Sequence, residues 1–528
     1  MDLTRRSFLN RVGAAGGALA VYNALHALDL VRPPAAYAGP PQLASGKGLR
    51  VVILGGGIAG LVSAIELRKA GYEVHVLEAR DRPGGRVFTV RRNTTIEEVD
   101  SKQRAQWDDH PDHYFDAGAA RLPQHHQGII GYARDLNVPF EVLSNQNRNA
   151  LLRSNLAFDG KPQRAGRVNA DARGFVAELA AKSIDQASLN RPLTGDDKEK
   201  LRTFLREFGA LDDKLTYKGS IRSGYSATPG GGKDEGTPWE RLDVVQLFNA
   251  GFWNQLYQAE EAPTQLPTMI RPVGGMSKIP EALARSLGKV VRYHVEVTKL
   301  RRVGDGARVE FRDLRTGAAS SLTADYVIAT IQPGLLTTLD SDITPRVRQA
   351  LAAPVGTPLA KVAFQATRRF WELDDQIYGG ISWTDHPITQ IWYPSQGIHA
   401  RKGVLTGAYV FHDGEEFAQK SLSDRLELAL EGGELLHPGL YRKHLEHGVS
   451  ISWRKVKYSS GATTRWSDEA RKNEYPVLLE PDGPYYFAGE YLSYVNGWQE
   501  GAVRSAHHTL QRLANHASSR PPHKEKKV

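Results

Sequence analysis

The stretch LRVVILGGGIAGLVSAIELRKAGYEVHVLEARDRPGGRVF, residues 49–88, decides the fold. Val51, Val52, Ile53 and Leu54 are apolar without alternation, as in a strand buried on both faces of a parallel sheet. Gly55, Gly57 and Gly60 follow in G-x-G-x-x-G spacing. Apolar residues Leu61, Ala64, Ile65 and Leu67 then predict a helix over 58–70, with Gly71 as its stop. A second strand over 74–77 ends at Glu78. In this order the glycines turn the chain tightly, let backbone amides reach a pyrophosphate, and pack helix on strand. Glu78 stands where a carboxylate accepts hydrogen bonds from an adenosine ribose. The stretch therefore predicts a Rossmann-like dinucleotide unit whose expected contacts are Gly55, Gly57, Ile58, Ala59, Gly60, Glu78, Ala79 and Arg80.

The chain has 528 residues, enough for two or three domains, and its 41% hydrophobic content suits a globular fold. The net charge is +9, of which the first 38 residues hold +2 and the last nine hold +3. The excess is thus not gathered into a nucleic-acid-binding face, and no nucleic-acid partner is expected. A basic tail over 519–528 reads as disordered. Cysteine is absent, which excludes disulfides, thiolate metal sites and a flavin linked through sulfur.

At the N-terminus, TRRSFLN (residues 4–10) pairs two arginines ahead of a weakly apolar Gly/Ala-rich run. Ala36, Tyr37 and Ala38 then form an A-x-A cleavage pattern. This resembles a twin-arginine export signal over 1–38, implying a periplasmic or secreted protein that begins near Gly39. Elsewhere no run reaches 18 uninterrupted apolar residues, so no membrane span is predicted.

After residue 78 the chain reads ARDRPGGRV, with Gly84, Gly85 and Arg86, and near its far end PYYFAGEYLSYVNGWQEGAVRSAHHTLQRL. Together these segments resemble the flavin-dependent amine oxidases, over roughly residues 50–514. The resemblance implies a mixed α/β fold of the glutathione-reductase-like type that binds FAD non-covalently. Its implied parts are an FAD-binding domain in three passages (48–135, 263–345, 466–518), a helical lobe (136–262) and a mixed-sheet substrate domain (346–465), the last alternating and aromatic-rich in sequence. It implies further cofactor contacts from Ala119, Ala120, Arg121, Val297, Trp453, Gly489, Glu490, Trp498, Ala502 and Val503. A helix beginning near Gly501 would aim its N-terminus at the flavin pyrimidine, where its dipole favours negative charge.

FDAGAARLPQ (residues 115–124) sets an arginine directly after a run of small residues. Arg121 matches the arginine that grips the substrate carboxylate in L-amino acid oxidases, and Tyr409 the tyrosine that shares it. Lys361, a charged residue in the otherwise apolar alternating strand LAKVAF, matches a lysine that holds a water near the flavin and assists reaction with dioxygen. Gly497 and Trp498 are expected to meet the substrate, the glycine carbonyl accepting from its amine. The implied reaction is hydride transfer from Cα to FAD, with hydrolysis to a 2-oxo acid and ammonia, and reoxidation by O2 to peroxide. An amide-forming monooxygenase, an amine or polyamine oxidase, and a flavin-binding module without turnover remain alternatives. A homodimer is expected by the same resemblance. His110, His113, His125 and His126 lack regularly spaced acidic or thiol ligands and read as exposed loop residues, not a metal site. Residues 248–260, aromatic and acidic, are expected to help close the pocket.

Overall fold

The computed structural model describes residues 37–186, 192–252, 268–411 and 413–519. The chain divides into two compact units, Met1–Pro41 and Gln42–Val528, and all elements named below lie in the second. All but two residues of the expected export signal, the basic tail from residue 520, and residues 253–260 of the expected pocket-closing stretch fall outside the described residues.

The glycine-rich stretch forms β1 (Arg50–Leu54), helix α1 (Ile58–Lys69) and β2 (Glu73–Leu77), each end within a residue or two of the sequence expectation. Parallel pairing adds β3 (Val291–Arg292) beside β2, β4 (Tyr326–Ala329) beside β1, and β5 (Tyr485–Phe487) beside β4. The sheet order is β3-β2-β1-β4-β5, and the chain leaves this sheet for other sheets three times, after β2, β3 and β4, and returns each time. Alternate side chains of β1 enter two different cores. Val51 and Ile53 join Leu61 of α1, Leu283 of α2 (Lys278–Leu287), and Val503 and Leu510 of α3 (Gln499–Ser519). Val52 and Leu54 face the other way, toward Leu300, Val309 and Phe311 of a four-stranded sheet. Burial on both faces explains why β1 needs an unbroken apolar run.

A seven-stranded sheet stands apart from the five-stranded one. From edge to edge its strands are Gln163–Arg164, Leu151–Arg153, Ile381–Thr384, Gln390–Trp392, Gly403–Val410, Ala360–Ala366 and Leu445–Ser452. All its pairings are antiparallel except that of Leu151–Arg153 with Ile381–Thr384. The strand carrying Lys361 does not alternate between buried and exposed residues, because every one of its seven residues is buried between two apolar layers. The span 136–262 supplies two strands to this sheet as well as helices Ala165–Ser183 and Gly195–Gly209. Those helices pack through Ala177, Ala181 and Leu205 against Tyr217. Buried Asp171 staples the lobe, accepting from the Tyr217 and Ser223 hydroxyls and the Leu242 amide at 2.5–2.8 Å. Among the described residues, no helix is long and apolar enough to cross a membrane.

Candidate active site

A cavity of about 620 Å³ opens beyond the carboxyl ends of β1 and β2 and extends to the seven-stranded sheet. Its size lies inside the range of cofactor and ligand pockets, about 300–1,000 Å³. The glycine turn forms one end. No side chain caps α1, so its first amides have no intrahelical acceptor and are available to an anion. Gly60 does not touch the cavity. A Cβ there would stand 2.1 Å from the Gly55 carbonyl, so this glycine lets helix and turn meet. Glu78 is buried, its two carboxylate oxygens accepting from the Gly56 amide at 2.7 Å and the Arg80 amide at 2.8 Å. Each oxygen keeps a lone pair for a ribose hydroxyl.

The middle of the cavity is held by an ion pair across more than 400 residues. Arg86 binds Glu490 at 2.8 Å and donates to the Ala462 carbonyl at 3.0 Å, while the other Glu490 oxygen accepts from the Gly497 amide at 2.8 Å. Ala117, Gly118 and Ala119 pass directly over Arg86. A Cβ on Gly118 would lie 1.7 Å from the Arg86 carbonyl oxygen. This close crossing is why the run before Arg121 is built of small residues. The Trp453 indole donates to the Ala117 carbonyl at 2.9 Å and walls the cavity beside it.

Lys361 reaches the same crossing from the seven-stranded sheet. The residue is 3% exposed, and its amine donates to the Asp116 carbonyl at 2.9 Å and the Gly118 carbonyl at 2.7 Å. It stands 4.4 Å from the centre of the Tyr409 ring. Burial brings its pKa down to about 7, with nearby Arg121 acting in the same direction and Asp116 opposing both. Arg121 stacks 4.6 Å over Trp392 and donates to Asn145 Oδ1 at 2.5 Å. Burial lowers its pKa to about 10, and Tyr409 acts against that shift. The Tyr409 hydroxyl is pushed up by burial in turn.

The expected residues in the cavity wall are Gly55, Gly57, Ile58, Ala59, Glu78, Ala79, Arg80, Gly84, Gly85, Arg86, Ala119, Val297, Lys361, Tyr409, Trp453, Gly489, Glu490, Gly497, Trp498 and Ala502. Ala120 instead lines a small neighbouring cavity of about 50 Å³ with Trp392. Arg121 lies next to it, beyond the main wall. Val503, on α3, is fully buried in the helical core and touches neither cavity. Two of the histidines read as exposed are buried. His113 is 6% exposed, and His126 is 1% exposed with its ring 5.1 Å from that of Trp498. Desolvation, with His125 and Arg504 nearby, brings the His126 pKa down to about 3, so it is neutral at physiological pH. Among the described residues, no group of three or more histidine, aspartate or glutamate side chains is placed to hold a metal ion.

Sequence reading missed Trp392, the floor beneath Arg121, and the carbonyls that hold Lys361. No local signal marks them, because the contacts join segments about 240 residues apart in the chain.

The family described as flavin containing amine oxidoreductase matches residues 58–513. An L-amino-acid oxidase of Bungarus fasciatus is 26% identical over 487 residues, covering 89% of this chain and 87% of its own. One of Siganus canaliculatus is 26% identical over 470 residues, covering 86% and 83%. A solved structure of putrescine oxidase bound to putrescine superposes with a TM-score of 0.58 at 17% identity, covering 89% and 99%. Cyclohexylamine oxidase from Brevibacterium oxydans IH-35A gives the same TM-score at 15% identity. An uncapped glycine turn, a buried ribose acid, and a wall assembled from both ends of the chain fit an FAD. With the match spanning nearly the whole described chain, the protein belongs to the flavin containing amine oxidoreductase family.

Proposed function

We propose that the protein is an L-amino acid oxidase. The observation that carries this reading is the convergence of Arg121, Tyr409 and Lys361 around the aromatic Trp392, with Tyr409 and Lys361 in the main cavity wall and Arg121 just beyond it. A guanidinium, an amine and a phenol suit a carboxylate. They oppose a diamine, whose second ammonium would meet like charge in a poorly hydrated site. The L-amino-acid oxidases among the relatives support the same choice.

Bound flavin supplies the two-electron acceptor that takes hydride from Cα and is restored by dioxygen, with peroxide as product. The chain's own groups bind and orient the substrate. Arg121 offers a planar fork to the carboxylate, and Tyr409 donates its hydroxyl to the same group. The Gly497 carbonyl accepts from the amine, and Trp498 covers the reacting carbon. Lys361 has two of its donors fixed on the Asp116 and Gly118 carbonyls, which hold its nitrogen in one position and leave it able to orient a water. FAD is proposed to be held non-covalently and released intact on unfolding; the absence of cysteine excludes a thioether link to it. The twin-arginine pattern supports export of the folded, loaded protein.

The test is a peroxide-coupled screen of the L-amino acids, their D-forms and the matched decarboxylated amines. The expected result is peroxide, ammonia and 2-oxo acid from L-forms alone. Equal turnover of the decarboxylated amines would reassign the protein as an amine oxidase, and an amide with carbon dioxide would make it a monooxygenase.

A further inference from the structure

Gln499 is the first residue of α3, stands directly after Trp498, and lines the main cavity. Its side chain is 6% exposed, yet neither Oε1 nor Nε2 has a hydrogen-bond partner among the described residues. Buried carboxamides are normally satisfied at both ends, so an unsatisfied one in a cavity wall marks where a ligand's polar atoms belong. The residues on either side have other tasks. Trp498 packs edge-on against His126, and Glu500 accepts from the Gly128 and Ile129 amides at 3.2 and 3.0 Å. Gln499 alone of the three is left with nothing to bind.

A carboxamide presents an acceptor and a donor side by side. Its complement is a group that presents a donor beside an acceptor, which is the imide edge of the flavin pyrimidine ring. An amino acid's carboxylate offers only acceptors and its ammonium only donors, so each would satisfy half of the amide. We propose that the Gln499 side chain is a flavin-recognition residue, pairing with the imide edge of the pyrimidine. Its N–H adds to the field of the α3 N-terminus in stabilising negative charge on the reduced ring. The inference rests on the flavin assignment and is independent of which amine is oxidised.

Gln499→Leu and Gln499→Glu test it. Apoprotein of each variant is titrated with FAD by fluorescence quenching, and the midpoint potential of each holoprotein is measured with substrate absent. Losing a donor to the reduced ring by Gln499→Leu is expected to weaken its preferential binding about tenfold, lowering the two-electron potential by about 30 mV. Gln499→Glu keeps the shape but offers only acceptors and a negative charge, and is expected to lower the potential further. That order is one that loss of packing alone would not produce, and the glutamate variant carries the test if the leucine variant fails to fold. Wild-type FAD affinity and potential in the folded variants would overturn the proposal. So would a change confined to KM for the amine, which would assign the amide to the substrate.

Discussion

Arg121 and Lys361 are two basic groups sharing one poorly hydrated corner, and each can be tested through a different quantity. If Arg121 holds the substrate carboxylate, Arg121→Leu removes a desolvated charged contact and lowers kcat/KM by about 2–5 kcal/mol, read by steady-state peroxide assay. The decarboxylated amine should lose far less, since it has no carboxylate to lose contact with. Lys361 is read through stability. Its folded pKa of about 7 lies below the ordinary 10.5, so between those values the unfolded chain binds a proton that the native chain does not. Native stability therefore rises with pH across that window, by at most about 1.4 kcal/mol per pH unit from this group. Urea unfolding of apoprotein at several pH values should show wild type gaining on Lys361→Met as pH rises. A constant difference would mean that the amine stays charged when buried. Lys361 was legible in the sequence because a lone cation in an apolar run is conspicuous. The reason it is tolerated was not legible, since its two acceptors come from the distant segment 116–118.

At the scale of elements, glycine-rich crossings separate what builds the fold from what builds the site. A Cβ on Gly57 meets nothing within 4 Å, whereas a Cβ on Gly118 strikes the Arg86 carbonyl. Gly57→Ala should leave the denaturant midpoint of apoprotein unchanged while weakening FAD binding at least about tenfold, because the methyl enters the space beside the α1 amides. Gly118→Ala should instead destabilise the apoprotein itself by about 1–3 kcal/mol, as overpacking does, whether or not FAD is present. Equal effects of the two on apoprotein would refute the division. The β1-α1-β2 unit was readable almost to the residue, because its signals are all local: an apolar run, a glycine spacing and a helical period. Five strands of the seven-stranded sheet were readable only as an alternating, aromatic-rich region, and the other two fall in the span read as a helical lobe. The pairing of Leu151–Arg153 with Ile381–Thr384 depends on contacts across some 230 residues that no window of sequence contains. The two-residue β3 is strand only because β2 offers it an edge.

On the scale of the whole molecule, the cavity is where three passages of chain meet, and the meeting is fastened by charge. Arg86, Glu490, Ala462 and Gly497 form one connected group, with Glu490 only 6% exposed. Glu490→Gln keeps the shape and an acceptor but leaves the Arg86 guanidinium without its counter-charge. Breaking a buried pair on one side typically costs about 3–5 kcal/mol, and Arg86, partly open to solvent, should place this case toward the lower end. Because the pair joins the first and last passages of the same wall, the loss should appear twice, as a lower apoprotein midpoint and as weaker FAD affinity. Free FAD should then stabilise both proteins by mass action, about 2.7 kcal/mol at one hundred times the dissociation constant. The variant needs more FAD to reach the same gain. Thermal melts across an FAD series check this directly. Plotted as the gain over each apoprotein, parallel curves displaced along the concentration axis are expected, and gains that coincide would show that the ion pair fastens the protein without shaping its cofactor site.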